Sequence, residues 1–572
     1  MKLNKQVVIL GITILCIGLV FLLLKYVRFS GEPVELQISA LKISSVIVSH
    51  HDLASAQRSA LISEVVANSN ISSIKTIILV STDHFLAADS PIVTTDKEWK
   101  LANAVILPDK TKIQELIDSS QVSNQESAFN REHGITNILA DISNSFSNAR
   151  LIPLMIRQDA SQEKVSQLND ELVKVCSENC LLISSVDFSH YQPGTLAEIH
   201  DSLSIRALNN LDKEAVYRSE VDSPQALALA IMWAKTHETR SFKLKEETNS
   251  GKLLGEPDSE STSYVLGWYQ NGKISKINEA TFMLGGDMMF GRYIAYKFRS
   301  DLTNSVRNLG DRLFWGTDVS MVNLEGLISA SLVPFNLDLE NLVFNFPRET
   351  TNVLKWLHLD AVSLANNHSL NAGISGLENT KKVLLENNIA AIGDQTHLGF
   401  QEFGQDQKIT IFTLNTSLVS IDLSSQIAES KSKGNFVIVF PHWGNEYQRT
   451  HSAAQSKLAH QWIDAGADLV VGSHPHVIQD AEIYKGKPIF YSLGNLLFDQ
   501  SFSKETQRGL VLAGKITADT LQLVFLPIQI KNYQPELLRG DEKLSIINSL
   551  KSDLGIEISS NSYGYDMIEL SR

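Results

Sequence analysis

Two histidines two positions apart, His474 and His476, close the apolar run VVGSHPHVIQ. On an extended segment alternate side chains face the same way. Neutral imidazole is the commonest protein metal ligand, so the pair reads as a metal-ligating element. Three more clusters stand at the ends of apolar, β-rich runs: Asp287 in MLGGDMM, Asn367 and His368 in SLANNHS, and His442 in VIVFPHWG. Asn323 and Glu325 in VNLEG, Asn366, and Asn495 in SLGN share that placement. Carboxylate, amide and imidazole donors together suit one or two divalent transition ions such as zinc or manganese. Paired ions can activate a water and stabilise charge on the attacked group. Each motif alone has a plainer reading: surface or capping histidines, a turn at Asn-Asn-His, core packing at Trp443. Their common position at strand ends favours a site, because open α/β sheets bind ligands at the carboxyl ends of their strands.

The first half carries a second set. His50 and His51 (VIVSHHDL), Asp83 and His84 (VSTDHF) and Asp187 and His190 (SSVDFSHY) follow apolar runs, and Glu132 and His133 (REHGI) open a helical pattern. These clusters hold five of fifteen histidines, all at element ends. That pattern points to a metal or polar-ligand pocket, although His51 or His133 can equally cap or pack.

The elements that must position these residues alternate. Residues 46–50, 76–81, 149–156 and 181–188 read as buried strands, and 53–68, 135–147, 162–177, 193–210 and 223–236 as amphipathic helices. Such alternation predicts an α/β fold with a mostly parallel, helix-covered sheet. A polar connector, Gln270 to Glu279, follows. The pattern restarts at 280–287, with strands near 361–365, 389–393, 409–414, 436–441, 468–473 and 487–492 and a helix at 453–465. GLVLAGKIT and LQLVFLPIQI form an expected antiparallel pair. The boundary falls near 275, giving domains at 40–272 and 278–572.

At 572 residues the chain exceeds a single core. Its net charge of −14 and lack of basic clusters argue against a nucleic-acid surface. Residues 7–24 read VVILGITILCIGLVFLLL, long enough at about 18 residues to span a bilayer. No small-x-small cleavage site follows, so residues 1–30 are expected to be a cytoplasmic tip and an uncleaved single-pass membrane helix, with the bulk extracytoplasmic. Of the three cysteines, Cys176 and Cys180 (CSENC) either pair or remain free thiols.

GGDMMFGR, VNLEG, SLANNHSLNAG, FPHWGNEY, GSHPHVIQ and YSLGN resemble, in order, the CapA family of capsule and poly-γ-glutamate synthesis proteins, with a calcineurin-like metallophosphatase α/β sandwich. The resemblance implies Asp287 and His476 on a first metal, Glu325 bridging, Asn367, His442 and His474 on a second, and His368 as acid/base. It departs at Met289, where ordinary metallophosphatases carry a histidine, at Glu325, where they carry an aspartate, and at Asn371, often an aspartate in the family. Residues 44–270, through SVDFSHY, VDSPQALALAI and DSESTSYVLGW, resemble the Memo-like family (AmmeMemoRadiSam system protein B), related in fold to class III extradiol dioxygenases. That likeness implies a metal site at His50, His84 and Asp222, with His51 as an alternative to His50, His190 as acid/base, and iron, copper or zinc as the ion. The expected function is exopolymer biosynthesis at the membrane, by metal-assisted hydrolysis or transfer on a cell-surface polymer or its precursor, alongside other capsule-synthesis proteins. The alternatives are a non-catalytic scaffold and a Memo-like redox enzyme.

Overall fold

The computed structural model describes residues 41–572 except 70–72, 120, 257, 330–341, 417–421 and 558–561. The expected membrane helix at 7–24 lies outside the described residues. Among those described, no helix is long and apolar enough to cross a membrane.

The β-branched runs of the first half build one eight-stranded sheet, in the order Ser241–Asn249, Ser263–Gln270, Ile43–Val48, Cys180–Ser185, Thr76–Thr82, Arg150–Ile156, Ile92–Thr94 and Ser123–Asn124. The four central strands from Ile43–Val48 to Arg150–Ile156 are parallel. They are buried on both faces, as continuous apolar runs in a helix-covered sheet must be. Three neighbours, Ile43–Val48, Cys180–Ser185 and Thr76–Thr82, therefore end side by side, and the polar residues after them meet. The helix expected at 135–147 is two pieces, His133–Thr136 and Leu139–Ser145. Cys176, which caps the helix Gln162–Val175, and Cys180, which opens the next strand, form a disulfide.

Among the described residues the second half builds two large sheets and a two-stranded one, Leu327–Ile328 with Asn345–Phe346. One large sheet runs Ala390–Ile392, Ala361–Ser363, Val319–Leu324, Ala280–Met288, Arg508–Ile516, Thr520–Lys531 and Gln534–Leu537. The expected antiparallel pair lies within it. The other runs Gly399–Phe403, Ile409–Asn415, Phe436–His442, Leu469–Val471, Lys487–Phe490 and Ala481–Tyr484. Phe282, Met321, Leu512 and Phe525 of the first pack with Ile411, Ile438, Leu469 and Phe490 of the second in one apolar layer, a sheet-on-sheet sandwich. Parallel strands of both sheets thus end at one edge.

Residues Lys42–Arg572 form one unit. Leu196 and Ile199 of the helix Gly194–Asn210 share a core with Met283 and Phe290 of the second half. On the same helix, Arg206 makes a buried two-pronged ion pair with Asp318 (2.8 and 2.6 Å). Asp318 also accepts the backbone N–H of Thr281 at the root of the Asp287 strand.

Glu247 lies at this junction. Burial pushes its carboxyl up to about 7; Lys515 opposes the shift, and Glu198 and Glu279 add to it. A carboxyl raised from 4.5 favours the protonated fold. Its contribution is fully present below pH 4.5 and is lost as pH rises to about 7, at most about 3 kcal/mol. The Glu247→Gln variant is expected to lose less of its melting temperature than the parent between pH 5 and pH 8. Parallel thermal melts at the two pH values check this, and equal slopes refute it.

Candidate metal centres

In the second half the strand ends converge. Asp287 belongs to the strand Ala280–Met288, Asn323 to Val319–Leu324 and His442 to Phe436–His442, with Glu325 and Asn366–His368 just beyond strand ends. Gly286 permits the approach: a Cβ there would lie 1.9 Å from the Gly494 carbonyl, which accepts the Asp287 N–H. Asn323 Nδ2 donates to Asp287 Oδ1 at 2.7 Å, and its own carbonyl accepts from Asn366 Nδ2, which fixes the amide. His442 Nε2 lies 2.9 Å from Asn367 Oδ1, and its ring is 4.5 Å from that of His474. His476 sits between two carboxylates, 3.4 Å from Asp287 Oδ2 and 3.5 Å from Glu325 Oε1, with its Nδ1 3.0 Å from Asn495 Oδ1.

The extended geometry expected for His474 and His476 does not occur. Their strand ends at Val471, and both adopt left-handed backbone, at φ 98° and 59°. A Cβ on Gly472 would collide with the Tyr491 carbonyl; glycine there keeps the backbone bonded to Phe490, and Ser473 still pairs with Pro441 before the chain turns. Left-handed backbone in non-glycine residues costs about 1–3 kcal/mol each and persists where the surroundings over-determine it. Two turns, rather than a pleat, aim both rings at one cluster.

The donors fit a divalent cation. One ligand atom each from Glu325, His474 and His476 lies within 4.8 Å of the others, as do those of Asp287, Glu325 and His442. Glu325 Oε1 and His474 Nδ1 are buried without a hydrogen-bond partner, a costly condition that a cation would relieve. Burial holds His442 well below the ordinary imidazole range and, with the charge of His476, lowers His474 to about 4. Both stay neutral and able to coordinate. Burial opposes charge on His476, but Glu325 and Asp287 outweigh it and push its pKa up to about 9.

His368 stands beside the donors, its Nε2 3.8 Å from Glu325 Oε1. Asn371 Oδ1 accepts the Phe344 N–H and lies 3.0 Å from His368 Nδ1. That places the proton on Nδ1 and leaves Nε2 facing the cluster. Burial lowers the pKa of His368, with Asn371 opposing. Phe344 stacks on its ring at 4.0 Å. Met289 instead packs in the apolar core and accepts the Gly291 N–H on its sulfur.

In the first half, His50 Nε2 lies 3.3 Å from Asp187 Oδ2 and 3.2 Å from Asp222 Oδ2. His84 Nε2 lies 3.3 Å from the same Asp222 oxygen. Glu132, fully buried, caps the helix His133–Thr136 and sits 2.6 Å from His84 Nδ1, which orients that ring. His50, His84 and His133 form one possible ligand triad and His50, Asp187 and Asp222 another. Asp222 Oδ1 is buried and unpartnered. Burial opposes charge on His84, but its bonds to Asp222 and Glu132 raise it to about 10. Asp187 and His133 join the cluster although the family resemblance implied no ligand role for them; their signal was position at element ends. His51 instead accepts the Leu53 N–H and the Tyr264 hydroxyl proton, and so caps a turn. Burial lowers the pKa of His190, with the charges of Asp222 and Glu220 opposing.

Two α/β halves, each with a buried histidine–carboxylate cluster at its strand ends, define a protein with two candidate cation centres. Residues 281–421 and 405–500 match the family model for bacterial capsule synthesis protein PGA_cap, and residues 23–266 match that for Memo-like protein. The chain therefore joins a Memo-like domain to a PGA_cap domain. It is 26% identical to the PGA biosynthesis protein CapA of Bacillus subtilis (strain 168) over 344 residues, 54% of this chain and 89% of that protein. It is 21% identical to a MEMO1 family protein of Nitrosopumilus maritimus (strain SCM1) over 201 residues, 34% of this chain and 71% of that protein. The solved structure of the uncharacterized protein JW3007 from Escherichia coli K12 aligns over 40% of this chain and all of its own, at 12% identity and a TM-score of 0.29.

Proposed function

We propose that this protein acts in synthesis of a capsule or poly-γ-glutamate-type exopolymer, with a metal-dependent hydrolase or transferase site at 278–572 and a Memo-like metal-binding domain at 40–272. The relatives named for capsule and PGA biosynthesis support the process. The observation that carries the chemistry is the pair of buried ligand atoms that make no hydrogen bond, Glu325 Oε1 and His474 Nδ1, inside the C-terminal cluster. We assign the bulk of the chain to the extracytoplasmic side of a membrane, held by 7–24. The Cys176–Cys180 disulfide supports an oxidising compartment. The mixed imidazole, carboxylate and amide donors favour zinc or manganese in the C-terminal half. Iron, copper or zinc suits the N-terminal half.

In this reading Asp287, Glu325, His442, His474, His476 and Asn367 hold the C-terminal cation, which supplies Lewis-acid activation of a water or of an ester or amide carbonyl. Asn323 and Asn495 orient the ligands. His368, neutral near pH 7 and protonated on Nδ1, accepts a proton at Nε2 from the attacking group and returns it to the leaving group. In the first half His50, His84 and Asp222 hold the ion, with His190 nearby for proton transfer.

Elemental analysis of the purified protein tests the reading directly. Two separable equivalents are expected, one lost in His474→Ala and the other in His84→Ala. A metal-free wild type would favour a non-catalytic scaffold, with which the core-packed Met289 also agrees. The His368→Ala variant is expected to keep both equivalents and lose about 10²- to 10⁴-fold in turnover of an ester or amide reporter. A variant that sheds metal makes His368 a ligand instead.

A further inference from the structure

Glu220 precedes Asp222 by two residues and has no solvent exposure in its side chain. Its carboxylate accepts the backbone N–H of His190 on both oxygens, at 3.2 and 3.0 Å, and lies 3.6 Å from His200 Nδ1. Its ion-pair partner, Arg312, comes from the C-terminal half. The Arg312 guanidinium lies 5.5 Å from the Trp315 ring, which stacks on His358 at 4.6 Å. Gly316, at φ +88°, passes so close that a Cβ there would lie 2.9 Å from Glu220 Cβ. A segment of one half thus lies directly against the loop that presents Asp222 in the other.

We infer that Arg312 is a positioning residue of the N-terminal cluster: by pairing with Glu220 it fixes His190 and the Asp222 loop, so that this cation centre forms only when the C-terminal half is docked. The inference rests on the reading of His50, His84 and Asp222 as cation ligands. The physical reason is the cost of an uncompensated buried carboxylate. Without Arg312, Glu220 keeps His200 and the His190 N–H but loses its only guanidinium among the described residues, and the carboxylate shifts toward His200 or water to regain compensation. That shift loosens its hold on the His190 N–H and moves the loop at 219–222. Asp222 Oδ2 then loses its 3.2 and 3.3 Å approach to His50 and His84.

Cobalt(II) titration of the full-length protein, followed by d–d absorption, tests this. His84→Ala and His474→Ala assign the two binding steps. Arg312→Ala is expected to weaken the N-terminal step at least tenfold, to change its band shape and to leave the C-terminal step within twofold. Arg312→Lys, which restores a positive charge, is expected to recover most of the affinity. The double variant Glu220→Gln with Arg312→Ala, which leaves no buried charge, is expected to bind more tightly than Arg312→Ala alone and carries the test should that single variant not fold. An unchanged N-terminal step in Arg312→Ala, or equal weakening of both steps with no recovery in Arg312→Lys, overturns the inference. A wild type lacking any His84-dependent step overturns the parent reading, and this inference with it.

Discussion

His476→Ala is expected to empty the C-terminal centre, lowering its cation affinity by more than the roughly 100-fold that loss of a supporting outer contact costs. It is also expected to destabilise the metal-free protein by about 3 kcal/mol. The side chain lies within 3.5 Å of two buried carboxylates and is itself 3% exposed. Removing it takes away the imidazole that stands between these two buried carboxyl groups. The cost stays near the lower end of the range for breaking a buried pair, because burial already pushes Glu325 upward and it can take up a proton. The pH dependence follows from the sign of the shift. An imidazole raised from 6.5 to about 9 stabilises the metal-free fold fully below pH 6.5, and that contribution is lost as pH rises through 9. Chelator-treated wild type should therefore lose more stability from pH 6.5 to 9 than His476→Ala, in which only the loss carried by other raised groups such as His84 remains. Denaturant melts at the two pH values, with elemental analysis of the untreated protein, measure both effects. Retention of the C-terminal equivalent would show that His476 is not a ligand.

Asp222→Ala is expected to have the largest effect on the N-terminal half. One oxygen, Oδ2, meets His50 Nε2 and His84 Nε2 and also accepts the Asp187 N–H at 3.2 Å. Burial alone would raise this carboxyl, but His50 and His84 hold it far below the ordinary carboxylate range. Alanine removes the common counter-charge of two imidazoles and strands a buried N–H, at a cost of about 3–5 kcal/mol. The N-terminal metal equivalent should disappear while the C-terminal one remains. Asp222→Asn, which keeps the shape and a carbonyl acceptor, should retain more stability than alanine while binding metal weakly. Full occupancy in both variants would move the ligand set to the alternative triad of His50, His84 and His133.

Much of this was legible in the chain. Runs such as IILV (77–80) and VIVF (437–440) are apolar throughout because their strands are buried on both faces, and that pattern needs no tertiary knowledge. Placing Asp287, His442, His50 and His84 at strand ends followed from the same reading, since a parallel sheet exposes its edge where apolar runs stop. The residues that escaped notice act across space. Glu220 and Arg312 are single charges in polar loops, without spacing or periodicity, and gain meaning only when 92 positions of chain bring them together. Asn371 was legible as a departure from a motif, while its grip on the His368 ring required the fold.

The amino-acid order by itself determined the two α/β halves, their strand ends and the donor types there, because burial and hydrogen-bond periodicity are local properties of the chain. Tertiary structure alone decided which donors share a cluster, that His474 and His476 converge through left-handed turns rather than a pleat, and that His51 caps a turn while His133 joins the cluster. Ligand sets are defined by distances between segments far apart in sequence, and such distances are fixed only when sheets pack and loops close against one another.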